Sequence, residues 1–309
     1  MATKAMMEDP CKNNDAILIT GPTASGKSAL ALDFARLYDG VVINADSMQV
    51  YDTLRVVTAR PSDADMEGVP HRLYGHVPAG QSYSTGDWLR EMDHLLGTLK
   101  AEGRMPVIVG GTGLYFKALT GGLSDMPVIP DPVRAVLRER LAAEGGDVLH
   151  RELSTVDPQM ADRLNPSDGQ RIVRALEVFR VTGRSIADFQ KQSGPMLVEP
   201  ERALRLVVLP DRNLLHARIN LRFEKMMTEG AIEEVVALLD LGLAPEMPVM
   251  KAIGVSQIAD MLAGHISRAE AIARASAATR QYAKRQMTWF RNQMDEGWQR
   301  IDPAVYRVA

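Results

Sequence analysis

A run near the start of the chain, GPTASGKS at 21–28, has the residue types and spacing of a phosphate-binding loop. Its glycines let the backbone curl so that N–H groups point at an anion, and a following helix adds the positive end of its dipole. Lys27 is expected to reach the terminal phosphate oxygens, and the Ser28 hydroxyl is placed to ligate Mg²⁺. The residues predicted to bind a diphosphate or nucleotide here are Gly21, Pro22, Thr23, Ala24, Ser25, Gly26, Lys27 and Ser28.

The flanking sequence favours this interpretation over a chance glycine-rich turn. The apolar run AILIT precedes the loop and the amphipathic run SALALDFARLY follows it, as strand and helix. GVVINADS (40–47) predicts a second buried strand followed by Asp46, and PVIVGGTG (106–113) a third that ends in glycines. Because ligands gather at the carboxyl ends of parallel strands, we expect the loop, Asp46 and residues 110–113 to converge.

Alternating strands and helices predict an α/β fold, a P-loop NTPase-like parallel sheet with helices on both faces. Residues 87–102 have the apolar spacing of a helix, and RALRLVVLP (202–210) is expected to rejoin the sheet. Residues 123–200 contain helical segments broken by Pro and Gly. We therefore expect a mostly helical insertion domain at 123–200 within a catalytic core formed by 15–122 and 201–309, whose last part is helical to about residue 292.

Composition bounds the class of protein. The 309 residues are 46% apolar, with a formal charge of −3, which argues against a protein that coats nucleic acid non-specifically but leaves a local basic groove open. The single cysteine, Cys11, allows neither an internal disulfide nor a cysteine-based metal site. The N-terminus has no apolar signal region, and no apolar run is long enough to span a membrane. We predict a cytoplasmic protein.

Two uses of the phosphate loop are open from the residues alone. The default is nucleotide phosphoryl transfer, as in a small-molecule or nucleotide kinase, with Asp46 as a carboxylate that holds Mg²⁺. However, the residues around the predicted site are hydrogen-bonding and aromatic groups rather than the arginines that neutralise charge in phosphoryl transfer. They are Ser47, Gln49, Tyr51, Thr112 and Tyr115.

Five segments in order resemble the tRNA dimethylallyltransferases, also called tRNA isopentenyltransferases or the IPP transferase family. They are GPTASGKS, NADSMQVY, VIVGGTGLYFKAL, QRIVRALEVFRVTG and TRQYAKRQMTWFR, and they lie within residues 16–292. The resemblance implies transfer of a dimethylallyl group from dimethylallyl diphosphate to N6 of the adenosine 3′ of the anticodon in tRNA, with Mg²⁺, by a monomer. The loop would then hold a diphosphate that leaves.

The resemblance also implies roles at the reaction centre. Asp46 would take the proton of the exocyclic amine as general base, although an aspartate here could merely cap a turn. Thr112 would hydrogen-bond near the reacting atoms, or serve only as a helix N-cap. Arg218 and Arg222 are four residues apart on one helix face and could reach the diphosphate, or form a solvated face.

Several residues are predicted to hold the RNA. An adenine within an anticodon loop must be extruded to react, and Ser47 and Gln49 are placed to read its edge. In the basic segment near the C-terminus (274–292), we expect Trp289 and Phe290 to pack in the core and the basic residues to contact the RNA. Besides the transferase and the kinase, a third hypothesis is a non-catalytic RNA-binding protein. The predicted tRNA contacts are Asp46, Ser47, Met48, Gln49, Arg134, Gln170, Arg171, Ile172, Val173, Arg174, Arg280, Lys284 and Arg285.

The chain departs from the family pattern in one stretch. Where the family usually has G-T-A-K-P, residues 57–61 read VTARP, so that Val57 replaces a glycine and Arg60 a lysine. Arginine is not equivalent to lysine at a tight phosphate contact, which leaves the role of this loop open. The family's second histidine and aspartate are also absent after His71, which is assigned no catalytic role.

Overall fold

The computed structural model describes residues 14–306 and 308; Cys11 lies outside them. Within this part of the chain, six parallel strands form one sheet in the order β3-β2-β4-β1-β5-β6. The strands are β1 (Ala16–Thr20), β2 (Gly40–Asn44), β3 (His71–Arg72), β4 (Met105–Gly110), β5 (Ala203–Val208) and β6 (Gln299–Ile301). The phosphate loop leaves β1 at the centre of this sheet.

Thirteen α-helices lie in the same described residues, and none of them is long and apolar enough to cross a bilayer. The first four are α1 (Lys27–Leu37), α2 (Asp63–Met66), α3 (Thr85–Glu102) and α4 (Gly113–Gly121). The next five are α5 (Asp131–Glu144), α6 (Gly146–Val156), α7 (Pro158–Ala161), α8 (Gly169–Thr182) and α9 (Ile186–Gln190). The last four are α10 (Arg212–Met226), α11 (Ala231–Asp240), α12 (Val255–Leu262) and α13 (Arg268–Gln293).

Alternate residues of the strands face two different cores. Ile17 and Ile19 of β1 pack with Phe34 of α1, whereas Leu18 packs with Trp88 of α3 on the opposite face. Because side chains of a strand point alternately to the two faces, a strand buried on both reads as a continuous apolar run. The sheet is therefore covered by helices on both faces, as the sequence predicted.

The chain divides into two compact units, one formed by 1–120 with 197–309 and the other by 121–196. The second unit contains α5 to α9 and has its own apolar core, which includes Leu137, Leu149 and Leu176. Its two ends meet, because Gly194 N–H donates a hydrogen bond of 3.0 Å to the Leu123 carbonyl. The catalytic and RNA-binding roles given to the two predicted domains stay predictions.

Two strands were not predicted. The edge strand β3 is two residues long and contains no apolar residue, and β6 is three residues long at the opposite edge. Both are too short for an alternating pattern to be visible. Helix α3 begins at Thr85, two residues before the predicted start, because Ser84 and Asp87 form a capping box.

Candidate active site

The phosphate loop runs from the carboxyl end of β1 to the first turn of α1. Gly26 has φ of +93°, a conformation that residues with a side chain rarely adopt, and it precedes the first helical residue, Lys27. Ser25 N–H donates to the Pro22 carbonyl at 3.2 Å and closes the turn. Ala24 packs against buried Leu215 and Ile219 of α10 and Ala283 of α13. Two helices from the C-terminal half therefore support the loop.

Three cations surround this loop. Lys27 Nζ donates to the Pro22 carbonyl at 3.3 Å. Burial lowers the pKa of Lys27 to about 8; the charge of Asp46 opposes this shift and that of Arg222 adds to it. Burial and the charge of Arg218 lower the pKa of Arg222. Arg218 is next to the loop, since a β-carbon on Gly26 would be 3.8 Å from its Nη1. Cations that depress one another's pKa in this way are built to receive an anion.

Asp46 follows β2, and its carboxylate lines the cavity beside the loop. Its Oδ1 accepts a hydrogen bond of 3.0 Å from Met48 N–H, so Asp46 does cap a turn. Its own N–H donates to Asn44 Oδ1 at 2.8 Å. The other carboxylate oxygen, Oδ2, is beside Gly111, where a β-carbon would lie 3.6 Å away. One oxygen thus orients the carboxylate and the second faces the loop that follows β4.

The loops after β2 and β4 are joined by hydrogen bonds. Thr112 N–H donates to the Ala45 carbonyl at 3.2 Å, and its hydroxyl accepts from Ser47 N–H at 3.0 Å. The expected convergence of the phosphate loop, Asp46 and residues 110–113 is therefore present. Gln49, predicted to read the base, donates its amide N–H groups to the carbonyls of Thr58 and Ala59 at 2.9 and 3.0 Å.

Thr23 of the phosphate loop, Asp46 and Ser47 border a cavity of about 340 Å³. The polar residues of its lining are Thr23, Asp46, Ser47, Thr58, Arg222, Lys251, Thr279, Tyr282 and Arg285. The rest is largely apolar and is contributed by Met48, Val57, Ala59, Ile219, Phe223, Met226, Ala252 and Ile253. The cavity therefore joins an anion-binding loop to an apolar wall.

Most of the lining residues were not assigned to the site from the sequence, and Lys251, Thr279 and Tyr282 are polar examples. Lys251 and Thr279 are single polar residues that belong to no recognisable sequence motif, so no local signal distinguishes them. Tyr282 was noted only as an aromatic within the basic segment. Burial, reinforced by the charge of Asp46, raises the pKa of Tyr282, so its hydroxyl stays protonated beside the carboxylate.

The divergent loop that contains Val57 and Arg60 is part of the cavity wall through Val57, Thr58 and Ala59. Glu234 of α11 holds it, because its carboxylate accepts from the N–H groups of Val56 and Val57 at 2.7 and 3.1 Å. Arg60 donates to the Asp52 carbonyl at 2.8 Å and covers Gly75. In this structure Arg60 thus braces its own loop.

The predicted RNA contacts of the second unit lie on α5 and α8. Gln170 and Arg171 are exposed in the first turn of α8, whereas the side chains of Ile172 and Val173 are buried in the core of the unit. Arg134 and Arg174 are half-buried and both approach buried Glu177, at 3.8 and 3.3 Å. The side chains that this segment offers to a partner are Gln170, Arg171 and Arg174.

The predicted basic residues of α13 have different surroundings. Lys284 and Arg285 are exposed, and the Arg285 guanidinium is 5.6 Å from the centre of the Tyr282 ring. Arg280 donates a hydrogen bond of 2.6 Å to Asn220 of α10. Phe290 is buried, and Trp289 is partly buried over Gly113. The aromatic residues therefore pack inward, as expected, while Lys284 and Arg285 face outward.

The described residues contain no cluster of three or more His, Cys, Asp and Glu that could hold a metal ion. Ser28 is the second residue of α1, after Lys27, and its side chain is exposed. His71, which received no role, donates a hydrogen bond of 2.8 Å from Nδ1 to the Val69 carbonyl, and burial lowers its pKa.

Known proteins resemble this chain over almost its whole length. A tRNA dimethylallyltransferase of Agrobacterium fabrum is 69% identical over 298 residues, which is 96% of this chain and 100% of the relative. One from Allorhizobium ampelinum is 68% identical over 302 residues, 98% of this chain and 99% of the relative.

Solved structures of similar enzymes also resemble this chain. The full-length tRNA isopentenylpyrophosphate transferase of Bacillus halodurans has a TM-score of 0.66 and 33% identity, and the match covers 94% of this chain and 90% of that one. A eukaryotic dimethylallyltransferase acting on tRNA has a TM-score of 0.75 and 28% identity, over 90% of this chain and 70% of that one.

Two family models match, one described as isopentenyl transferase over residues 14–76 and the other as IPP transferase over residues 49–293. The second alone covers most of the chain, and it includes the second unit and all of α13. The chain belongs to the IPP transferase family.

Proposed function

We propose that this protein transfers the dimethylallyl group of dimethylallyl diphosphate to N6 of the adenosine 3′ of the anticodon in tRNA and releases diphosphate. The observation that favours it most is the composition of the cavity, whose lining combines Thr23 of the phosphate loop and the cation Arg222 with a set of apolar side chains. An isoprenoid diphosphate has a charged end and an apolar end that match these two parts. A nucleotide has no branched hydrocarbon to place against Val57, Phe223 and Met226.

The loop would stabilise the departing diphosphate. As the allylic C–O bond breaks, negative charge grows on the diphosphate, and the bond from carbon to N6 forms. Loop N–H groups, Lys27 and the two arginines of α10 then interact more strongly with the transition state than with the ground state. Arg222 lines the cavity and Arg218 is next to Gly26, so both arginines are assigned to the diphosphate.

Asp46 is the proposed general base. The amine of adenine loses one proton when its nitrogen forms the new bond, and a carboxylate within hydrogen-bond reach can accept it. Met48 N–H holds Oδ1, which leaves Oδ2 for the amine. Thr112 is proposed to act at the same centre, where its hydroxyl holds Ser47 next to Asp46.

Mg²⁺ is the proposed cofactor. It prefers oxygen ligands and is often bound by few protein groups together with substrate phosphates, which suits an exposed Ser28 hydroxyl at the start of α1. When bound, the ion would neutralise charge on the diphosphate. No larger carboxylate cluster is required for such a site.

The RNA would be held at three places. Asp46, Ser47, Met48 and Gln49 border or adjoin the cavity and are proposed to contact the extruded adenosine and its neighbours. The exposed residues of α8 and Arg134 are proposed to contact the anticodon stem-loop, where amide and guanidinium groups suit loop bases and phosphates. Lys284 and Arg285 of α13 are proposed to contact phosphates. A monomeric state and a cytoplasmic location stay predictions.

The experiment is incubation of the purified protein with Mg²⁺, unmodified anticodon stem-loop RNA and either dimethylallyl diphosphate or ATP, followed by mass spectrometry of the nucleosides. We expect a dimethylallyl mass gain on the adenosine 3′ of the anticodon without ATP. ADP formation from ATP, with no gain from the isoprenoid, would instead mean that the loop serves a kinase.

A further inference from the structure

Gln286 of α13 is a buried polar residue that none of the roles above uses. Only 6% of its surface is exposed, although its sequence neighbours Lys284 and Arg285 face outward. A buried amide needs hydrogen-bond partners, because leaving its polar atoms unpaired costs more than the bonds themselves contribute. The identity of those partners therefore indicates what Gln286 does.

Both ends of the amide are bound to the backbone of active-site loops. Gln286 Oε1 accepts a hydrogen bond of 3.0 Å from Thr23 N–H in the phosphate loop. Gln286 Nε2 donates a hydrogen bond of 2.9 Å to the Gly111 carbonyl, in the loop after β4. Thr23 lines the cavity, and Gly111 lies beside Asp46 and precedes Thr112. One side chain thus connects the loop at the diphosphate with the loop at the acceptor.

The chemistry of this bridge is specific. An amide presents an acceptor oxygen and a donor nitrogen side by side, which suits an N–H and a carbonyl on two neighbouring loops, and the glutamine is long enough to reach both. Gly111 adapts to it, since a β-carbon there would lie 2.4 Å from Nε2. The Thr23 N–H is also withdrawn from the anion, so the first turn of the loop is oriented by α13 instead.

We propose that Gln286 is a positioning residue for the transfer reaction: it fixes the phosphate loop at Thr23 in the geometry that binds the diphosphate. The proposal rests on the proposed function, in which the diphosphate is the leaving group. Because Lys284 and Arg285 are on the same helix, the helix proposed to bind RNA also sets the shape of the diphosphate site.

The test is Gln286→Met, which keeps an unbranched side chain of similar size but removes both hydrogen bonds. Gln293→Met is the matched control, because Gln293 lies two turns later on α13 and its amide oxygen accepts a hydrogen bond of 2.9 Å from exposed Lys117. We expect Gln286→Met to raise the Kd for inorganic diphosphate with Mg²⁺, measured by calorimetry, and the KM for dimethylallyl diphosphate by about tenfold or more. The tRNA Kd should stay within twofold, and the control should match the unsubstituted protein.

A folded Gln286→Met protein whose diphosphate Kd and KM stay within twofold would overturn the proposal, even if its melting temperature fell. If this variant does not fold, Gly111→Ala displaces the same amide from the other side and is expected to weaken diphosphate binding similarly; unchanged binding would again overturn the proposal. Diphosphate binding does not depend on product formation. An unsubstituted protein that makes no dimethylallyl product, but whose diphosphate binding responds to Gln286→Met, would therefore contradict the proposed reaction and leave the positioning role supported.

Discussion

The hydroxyl of Thr112 holds Ser47 at two atoms: it accepts from Ser47 N–H at 3.0 Å and is 3.3 Å from Ser47 Oγ, to which it donates. Asp46 immediately precedes Ser47, so this contact holds the proposed base in a fixed position next to the loop after β4. One contact is with the backbone of Ser47 and the other with its side chain, and both differ from the helix N-cap that is the alternative role of this threonine.

Thr112→Val should remove both hydrogen bonds with little change of shape, and we expect kcat to fall about tenfold or more while the tRNA Kd changes little. Thr112→Ser, which keeps the hydroxyl, should retain most of the turnover. Steady-state kinetics with anticodon stem-loop RNA would measure both. Equal turnover in the valine and serine variants would contradict the role of the hydroxyl.

Asp46→Ala should reduce kcat by about 10²–10⁴, in the usual range for loss of a general base, with RNA binding retained. The control is Asp52→Ala, because Asp52 is an exposed carboxylate in the same segment whose side chain accepts a hydrogen bond of 2.8 Å from the adjacent Thr53. Single-turnover kinetics and RNA binding would be measured for both variants. If Asp46→Ala kept its turnover, another group would have to be the base; if only affinity changed, a non-catalytic RNA-binding protein would be favoured.

Diphosphate binding should depend on pH through Lys27. Because burial lowers the pKa of Lys27 from 10.5 to about 8, the free protein loses this proton as the pH rises through about 8. A bound diphosphate favours the ammonium, so affinity is full below pH 8 and declines above it, by up to about tenfold per pH unit for one proton. Between pH 8 and 10.5 the unfolded chain binds more protons than the folded one, so the free energy of unfolding rises with pH.

Lys27→Arg is the control for this pH dependence, because its guanidinium stays charged over the same range. Titration of diphosphate itself affects both proteins equally. Inorganic diphosphate binding would be measured by calorimetry over roughly 1.5 pH units on either side of the Lys27 pKa. The affinity should decline more steeply with pH for the lysine protein than for the arginine variant. Parallel curves would show that Lys27 keeps its proton throughout.

The basic face of α13 should give tRNA binding a steep salt dependence. Changing Arg280, Lys284 and Arg285 together to alanine should lower the slope of log Kd against log salt by about 2, since each phosphate contact contributes about 0.7–0.9. The control changes three arginines that pair with acidic residues elsewhere: Arg36 with Glu67, Arg90 with Asp87 and Arg202 with Asp15. An equal slope in the two triple variants would exclude α13 from the RNA interface.

Glu177→Leu should destabilise the protein, because the carboxylate is only 6% exposed and pairs with Arg134 and Arg174. The arginines are about one-third exposed, so solvent screens part of the interaction, and we expect a loss of about 1–3 kcal/mol in the free energy of unfolding. Urea denaturation would measure it at the unfolding transition of the helical unit 121–196. Glu139→Leu, at an exposed position of α5, should change it by less than about 0.5 kcal/mol. Equal losses in both variants would show that the pairing contributes nothing.

Local signals explain why much of the fold could be predicted. The phosphate loop, β2, β4 and β5 are each marked by a continuous apolar run or by a glycine pattern, and the periodicity of α3 lies within one segment. These features depend on neighbours in the chain. The short strands β3 and β6 depend instead on the sheet edges that receive them, and their own residues show no pattern.

The site was predictable only in part, for the same reason. Asp46 and Thr112 stand at strand ends, where parallel sheets collect their ligands. Gln286 contacts Thr23 across 263 residues, and Lys251 enters the cavity from a segment with no motif of its own. Such contacts appear only when the chain is folded, so sequence reasoning could place the loop but not the residues that support it.

The meeting of Leu123 and Gly194 has a consequence for how this protein could change over time. Since the helical unit leaves and returns at one point, its length and surface can vary by insertion, deletion or exchange while the strands on either side keep their neighbours. A lineage could thus alter which RNA loops are recognised through one exchangeable module and inherit the bond-forming chemistry untouched.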